Sequence, residues 1–497
     1  MIKKIYNSTT LISRVALIAL FVTTGCMDNF LEQKPQGTLT DATFLQSSKD
    51  AELATNAIYS SMRDWFYHSG GFPILDIMTD DATKGSNPGD GAIINLFETF
   101  QYSQSTGDIS RWYSALYKSV RRSNIVMESL PSIAMDEALK NRLMGEARFL
   151  RALFYFDLVR AFGDLPKVTT ANPPLKIDRS PKQEIYEEII FPDLNFAISN
   201  LPEKSDYANT DLGRATKGSA KALLAKVYLF LGDYTNAEKY SMEVILSSQY
   251  QLEQNFSNAF SLKGQHGVES IFEIGALPQE DTDQGGNQFA NTQGVRGKPN
   301  KGWGFNRPSL NLINFYEAND PRKDATIVFL NETIDGIFIE GDANTPDTTY
   351  TDASKVQIKE IETYNQKVWA SDSTTLGQWG YNMRVIRYAD VLLIAAEALN
   401  ENGKTSDALV YLNLVRSRVG LASFNNTDIT IVRTKIWNER RAELAMEGHR
   451  FWDLVRIGRA DEVLGPLGFI SGKHELFPIP QSEIDLSEGQ LTQNSGW

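Results

Sequence analysis

The sequence predicts a mostly α chain: a scaffold of helical pairs carrying a loop-rich half with only short strands. Three observations lead there. Residues 145–166, GEARFLRALFYFDLVRAFGDLP, read as a helix from Arg148 to Phe162 that Gly163 and Pro166 terminate. Two segments far apart in the chain share one spacing of small, aromatic and glycine residues. Between them, residues 251–382 are rich in glycine and show little periodicity beyond short β-prone pieces.

The helix of residues 148–162 is a post on which other helices lean. Its charged positions are Arg148, Arg151, Asp157 and Arg160. At about 100° per residue, the first two point one way and the last two roughly the opposite way. A surface helix gathers its charges on one face. This one is therefore packed on several sides, and its charges need partners.

The other elements follow in chain order. Residues 50–65 are helical, with Ala51, Ala54, Ile58 and Met62 at helix spacing. Residues 66–99 read as a long loop with a short run at 74–78. Helical spacing returns at 112–130 (Leu116, Val120, Ile125, Met127), and 134–162 follow as a helical pair with the post. Residues 181–201 form a helix that Pro192 kinks or breaks. Ala225, Tyr228, Gly232, Ala237 and Tyr240 then fall in series, and Ala396, Leu399, Gly403, Ala408 and Tyr411 repeat their offsets. That is helix, glycine turn, helix, with small residues where the helices touch, and it resembles the tetratricopeptide repeat. The step from Phe156 to Gly163 suggests a third, degenerate copy. Residues 270–274, 326–330 and 336–339 are the β-prone pieces. Helices resume at 385–400, 406–419 and 429–446, and the tail from 461 is loop-rich. The helical scaffold thus lies mainly in 44–65, 110–250 and 383–460, and the loop-rich half in 66–109 and 251–382.

Residues 1–25 differ from the rest. Lys3, Lys4 and Arg14 precede an apolar run at 15–22, and Thr23-Thr24-Gly25-Cys26 follows. The run is too short to span a bilayer and reads as a secretory signal. The chain's one cysteine, Cys26, stands where cleavage is expected. This resembles a bacterial lipoprotein signal, in which that thiol is lipidated and becomes the new N-terminus, although Thr23 replaces the usual Leu. Residues 27–43 then form an extended arm, and 26–497 a single body. Loss of Lys3, Lys4 and Arg14 takes the formal charge from −13 to −16. So acidic a surface argues against nucleic acid as a partner and suits a neutral or cationic ligand.

Several stretches together resemble the SusD/RagB family of outer-membrane lipoproteins from Bacteroidetes-type bacteria. They are the post, FLEQKPQGTLTDATF at 30–44, NDPR at 319–322, RYADVLLIAAEALN at 387–400, YLNLVRSRVGL at 411–421, ERRAELAMEGHRFWDLVRIG at 439–458 and FPIPQSEI at 477–484. They run in family order through the whole mature chain. The resemblance implies four tetratricopeptide-like helix pairs supporting an irregular, glycan-facing half. It implies capture of oligosaccharides at the cell surface and delivery to a SusC-like, TonB-dependent transporter. Some relatives handle peptides instead.

Sugar capture needs flat apolar faces and planar polar groups. Such residues gather in two places, 76–95 and 279–307. By resemblance, these correspond to the family's glycan-binding loops. The candidates are Asp81, Asn87, Asn287, Arg296, Trp303 and Trp379. Trp303 ranks first, because Gly302 and Gly304 leave its ring accessible, and Trp379 has similar flanks. The alternative for Trp303 is a core plug beside a tight turn, and for Asp81 and Asn87 turn or cap duty. The Asp-rich loop could hold calcium, but no metal or other cofactor is expected. The charged run from Glu439 to Asp453 reads as structural, with Arg440, Arg441 and Arg450 neutralising Glu439, Glu443 and Glu447. No HExxH spacing, GxSxG elbow or dinucleotide loop is present, so no catalytic residue is assigned. Two readings compete with glycan capture: a tetratricopeptide-type surface lipoprotein that binds a peptide or protein, and a hydrolase using two carboxylates.

Overall fold

The post organises the fold. A computed structural model of the chain describes residues 45–68, 72–279, 284–342, 348–351, 357–370 and 379–497. The signal, Cys26 and the arm at 27–43 lie outside these residues. Ser47–Trp497 folds as one compact unit.

The longer helices are α1 (Ser48–Ser61), α2 (Gly107–Ser129), α3 (Glu137–Phe162), α4 (Phe191–Asn200), α5 (Lys217–Leu231), α6 (Tyr234–Leu246), α7 (Tyr388–Glu401), α8 (Thr405–Arg418), α9 (Ile429–Leu444) and α10 (Arg450–Arg456). Each of the first eight packs on the next, and α9 lies against α7 and α8. Taken two at a time, α1 to α8 make the four expected pairs.

The post is longer than the sequence suggested. Asp136 caps α3 by accepting from Leu139 N at 2.9 Å, and the helix then runs unbroken for 26 residues. From Leu143 onward almost every residue is buried, whichever way it points. Its charges are held as required. Arg151 makes a two-pronged bond to Asp193 (2.7 and 2.9 Å) and donates to Asn124 at 2.8 Å. Arg148 covers the Phe196 ring at 4.3 Å. Asp157 pairs with Arg160, whose guanidinium stacks on Phe156 at 4.1 Å.

The two copies of the repeat meet face to face. Ala225, Ala237, Ala396 and Ala408 are fully buried, and Gly232 and Gly403 make the turns at positive φ. Ala225, Leu229 and Ala237 pack against Ile394 and Ala398. The third copy is only half present: Gly163 stops α3 at φ +74°, but the short strand Leu165–Pro166 follows instead of a helix. Pro192 does not break its helix either. A π turn at Tyr186–Ile190, with Phe191 N donating to Tyr186 O, shifts the bonding by one residue just before the proline, whose nitrogen has no hydrogen to donate.

The loop-rich half uses two-stranded antiparallel ladders. β1 (Ala82–Gly85) pairs with β3 (Phe305–Pro308), β2 (Ser270–Ile274) with β6 (Met383–Arg387), and β4 (Ile327–Phe329) with β5 (Thr363–Asn365). The expected strand at 336–339 is one arm of a small hairpin, Thr333–Ile334 with Ile337–Phe338.

Buried ion pairs join the halves. Glu443 takes bonds from Arg418 (2.5 Å), Arg387 (3.0 Å) and Arg322 (3.3 Å). Arg322 also binds Asp320 and Glu439 (both 2.7 Å), and Arg387 also binds Glu447 (2.7 Å). The expected pairing is therefore corrected. Glu439, Glu443 and Glu447 are neutralised from other segments, whereas Arg440, Arg441 and Arg450 serve Asp390, Asp81 and Asp80. Neighbours on a helix diverge by about 100°, so adjacent Glu and Arg residues face different partners. Burial opposes ionisation of Glu443, yet Arg418, Arg387 and Arg322 outweigh it and hold its carboxyl well below the usual range.

Glu443→Ala removes the carboxylate that three buried guanidiniums share and leaves the enclosed cluster one negative charge short. It is expected to cost about 3–5 kcal/mol, read as a lower denaturation midpoint. An unchanged midpoint would mean that these pairs contribute nothing net.

Candidate functional site

The two loop segments singled out in the sequence come together. Gly85 of β1 lies opposite Phe305 of β3, and Thr83 opposite Arg307. The turn after β1 docks on the segment before β3. Arg296 pairs with Asp90 and with Asp342 (2.6 Å) and donates to Ser86 Oγ at 2.6 Å. The bonds from Arg296 and Ser86 hold the Asp90 carboxyl below its ordinary range. Lys84 Nζ donates to the carbonyls of Asn87 and Asp90 (both 2.9 Å), which gathers the turn around one ammonium group.

Trp303 sits on a mount that only glycines permit. Trp303 N donates to Asn291 O at 2.8 Å, and Gly304 N to Gly294 O at 3.0 Å. A Cβ on Gly302 would lie 2.4 Å from Asn291 O and 2.7 Å from Gly294 Cα. Gly304 has φ +74°, and its carbonyl accepts from Ser86 N at 2.7 Å. The backbone is thus clamped on both sides while the indole is 38 % exposed. Its neighbour is Trp65, in the short helix Trp65–His68, with ring centroids 5.7 Å apart and planes tilted by 48°. Arg111 covers the adjacent Phe66 ring at 4.9 Å. Trp65 was not among the sequence candidates, because it stood at the end of a predicted helix. Its aromatic neighbours, Trp65-Phe66-Tyr67, were the available signal.

The other candidates have different surroundings. Asp81 is fully buried and bound to Arg441 Nε at 2.7 Å. Asn287 is also fully buried: its Nδ2 donates to Tyr381 O (2.8 Å), its Oδ1 accepts from Phe289 N (3.0 Å), and its own N–H donates to Trp379 O (3.0 Å). Neither presents its side chain at the surface. Asn87 is half-buried at the turn, Arg296 rims it, and Trp379 is half-buried. Among the described residues, no ring contact joins Trp379 to the Trp65–Trp303 pair, and no group of three or more His, Cys, Asp or Glu is placed to hold a metal.

A buried polar relay backs the mount. Asn306, at φ +55°, donates through Nδ2 to Gln293 Oε1 (2.8 Å) and Asp76 Oδ2 (3.1 Å). Asp76 Oδ1 accepts from Gly448 N at 2.8 Å, tying the strand beside Trp303 to the turn between α9 and α10. Burial pushes the Asp76 carboxyl up to about 7, against the pull of those two bonds, and Asp81 and Glu447 add to the push.

Comparison with known proteins bears on the same architecture. The family described as the SusD family matches residues 268–497, and one described as starch-binding associating with the outer membrane matches residues 29–229. A solved laminarin-binding SusD-like protein is 31% identical, with a TM-score of 0.76 over 91% of this chain and 100% of that one. The chain belongs to the SusD family. A SusD-like protein of Formosa agariphila is 29% identical over 97% of this chain and 99% of its own length. A SusD-like protein of Bacteroides ovatus is also 29% identical, over 87% and 79%. The family matched at residues 29–229 is described as starch-binding and the solved relative as laminarin-binding, which agrees with the expectation of a binding protein.

The relay makes a pH prediction. An unfolded Asp76 titrates near its ordinary 3.8, and the folded one near 7. Between those values the folded state binds more protons, so this group's contribution to stability falls as pH rises and levels off above about 7. Asp76→Asn is expected to flatten the decline in melting temperature between pH 5 and 7.5. Parallel profiles for the two proteins would remove Asp76 from the account.

Proposed function

We propose that this SusD-family protein captures oligosaccharide at the cell surface through the Trp65–Trp303 face and passes it to a SusC-like, TonB-dependent transporter. The observation that carries the reading is Trp303: a large indole kept exposed on a clamped two-glycine mount, tilted against a second indole. Two inclined aromatic faces suit the apolar faces of successive pyranose rings, and Arg296 and Asp90 on the rim offer planar groups to hydroxyls. Stacking of this kind gives modest affinity and fast release, which transfer to a second protein requires. The description of the N-terminal match as associating with the outer membrane supports the location. Lipid on Cys26 would hold the protein there and concentrate it beside the transporter. Laminarin, named for the 31% identical structure, is the first polysaccharide to test.

The peptide-binding alternative needs an open groove lined by the helical pairs. The small residues that would line it are instead fully buried between α5, α6, α7 and α8.

Native gels containing laminarin and other polysaccharides test the reading. Retardation without release of sugars is expected for soluble protein beginning after Cys26. Trp303→Ala is expected to weaken binding at least tenfold, about 1.4 kcal/mol, with a melting temperature near that of the parent. A large fall in melting temperature would make Trp303 a structural plug instead.

Cys26→Ser tests the anchor. The variant is expected to leave the membrane fraction, and continued tethering without lipid would refute lipidation as the attachment.

A further inference from the structure

A ligand-sized space lies away from the aromatic face. A cleft of about 350 Å³ is lined by α9, α10 and the segment leading into β1. Ligand pockets of roughly 300–1,000 Å³ hold small molecules, so this one suits a compact ligand and not a polymer. Asn311 and Asn438 are exposed at its edge, and Asp80 and Arg450 are part-buried within it. Trp437 also lines it, held by its indole N–H donating to Glu397 Oε1 at 3.2 Å.

The charges in the cleft are already matched. Asp80 takes Arg441 Nη2 and Arg450 Nε, each at 2.9 Å. Arg440 is bound to Asp390 (2.8 Å) and Arg456 to Glu397 (2.6 Å). At the rim Arg459 pairs with Glu462 at 2.6 Å. An ion entering the cleft would lose hydration and find no free counter-charge. Hydrogen-bonding capacity is what remains. Asn311 uses Oδ1 for Arg441 (2.8 Å) but not its Nδ2, and the Asn438 amide makes no hydrogen bond among the described residues. The Asn438 amide, the remaining donor of Asn311, a carboxylate held by two guanidiniums and an indole form a lining suited to an uncharged polyol.

We infer that this cleft is a second sugar site, taking one or two neutral hexose units, at the far end of the β1–β3 ladder from Trp303. β1 alone, Ala82–Gly85, puts three residue steps, roughly 10 Å of extended chain, between the two sites, so they are distinct. The inference rests on the glycan reading above for its ligand class alone.

The test titrates the folded protein, from residue 27 onward, with D-glucose, D-galactose and D-mannose, followed by saturation-transfer NMR. Saturable binding of at least one is expected. Asn438→Trp, a bulky residue at an exposed position of the cleft, is expected to weaken it at least tenfold. Asn311→Trp does the same from another exposed position should the first variant fold poorly. Trp303→Ala is expected to leave hexose binding unchanged. No saturable binding, or binding indifferent to both filling variants, or binding lost in Trp303→Ala, would overturn the second site. The gels with polysaccharide report separately: retained retardation with no hexose binding sinks only the cleft, and lost retardation sinks only the aromatic face.

Discussion

Three closely spaced glutamates at the end of α9 constrain the rest of the molecule. Glu439 and Glu443 stand one turn apart on α9 and are buried, and Glu447, just past the helix end, has a side-chain exposure of only 8%. Like charges at that spacing repel, and burial sharpens the repulsion. The fold is acceptable only if cations arrive from elsewhere. Arg387 comes from the end of β6, Arg418 from the end of α8 and Arg322 from the loop-rich half. The irregular half is therefore bonded into the helical one at its most demanding point. Its short strands would be marginal alone.

The same logic reaches the surface. Arg441 and Arg450 hold Asp81 and Asp80, the residues that lead into β1. β1 aligns β3, and β3 begins two residues after Trp303. Arg296 and Lys84 close the turn that packs beneath it. An exposed tryptophan is thus fixed by a chain of bonds that starts in the scaffold. Little conformational freedom is left to lose when a ligand arrives.

The scaffold was legible in the sequence because its signals are local. The glycine turns at Gly232 and Gly403, with alanines flanking them, require only helix geometry to interpret, and the post betrayed its burial by charges on opposite sides. Pro192 marked an irregularity in its helix but not the form it takes, since composition does not signal a π turn. The site was legible in part. Trp303 stood out through its flanking glycines, and the two loop segments were recognised, but nothing in either announced that β1 and β3 would pair. Asp81 and Asn287 have the side chains of sugar ligands, yet their partners, Arg441 and Tyr381, lie 360 and 94 residues away. Residue type suggests chemistry, and long-range contacts decide whether that chemistry faces solvent.

The depth of the ion pairs has one more consequence. Counter-ions in solution screen charges that they can approach, with a Debye length near 3 Å at 1 M salt. Arg322, Arg387 and Glu443 are almost fully enclosed, with side-chain exposures of 1%, 2% and 0%. Dissolved ions do not reach between them. Brine that dissolves the surface pairs, such as Lys176 with Glu488, leaves the joint between the two halves untouched. The bond between the two halves is thus insensitive to the ionic strength of the medium.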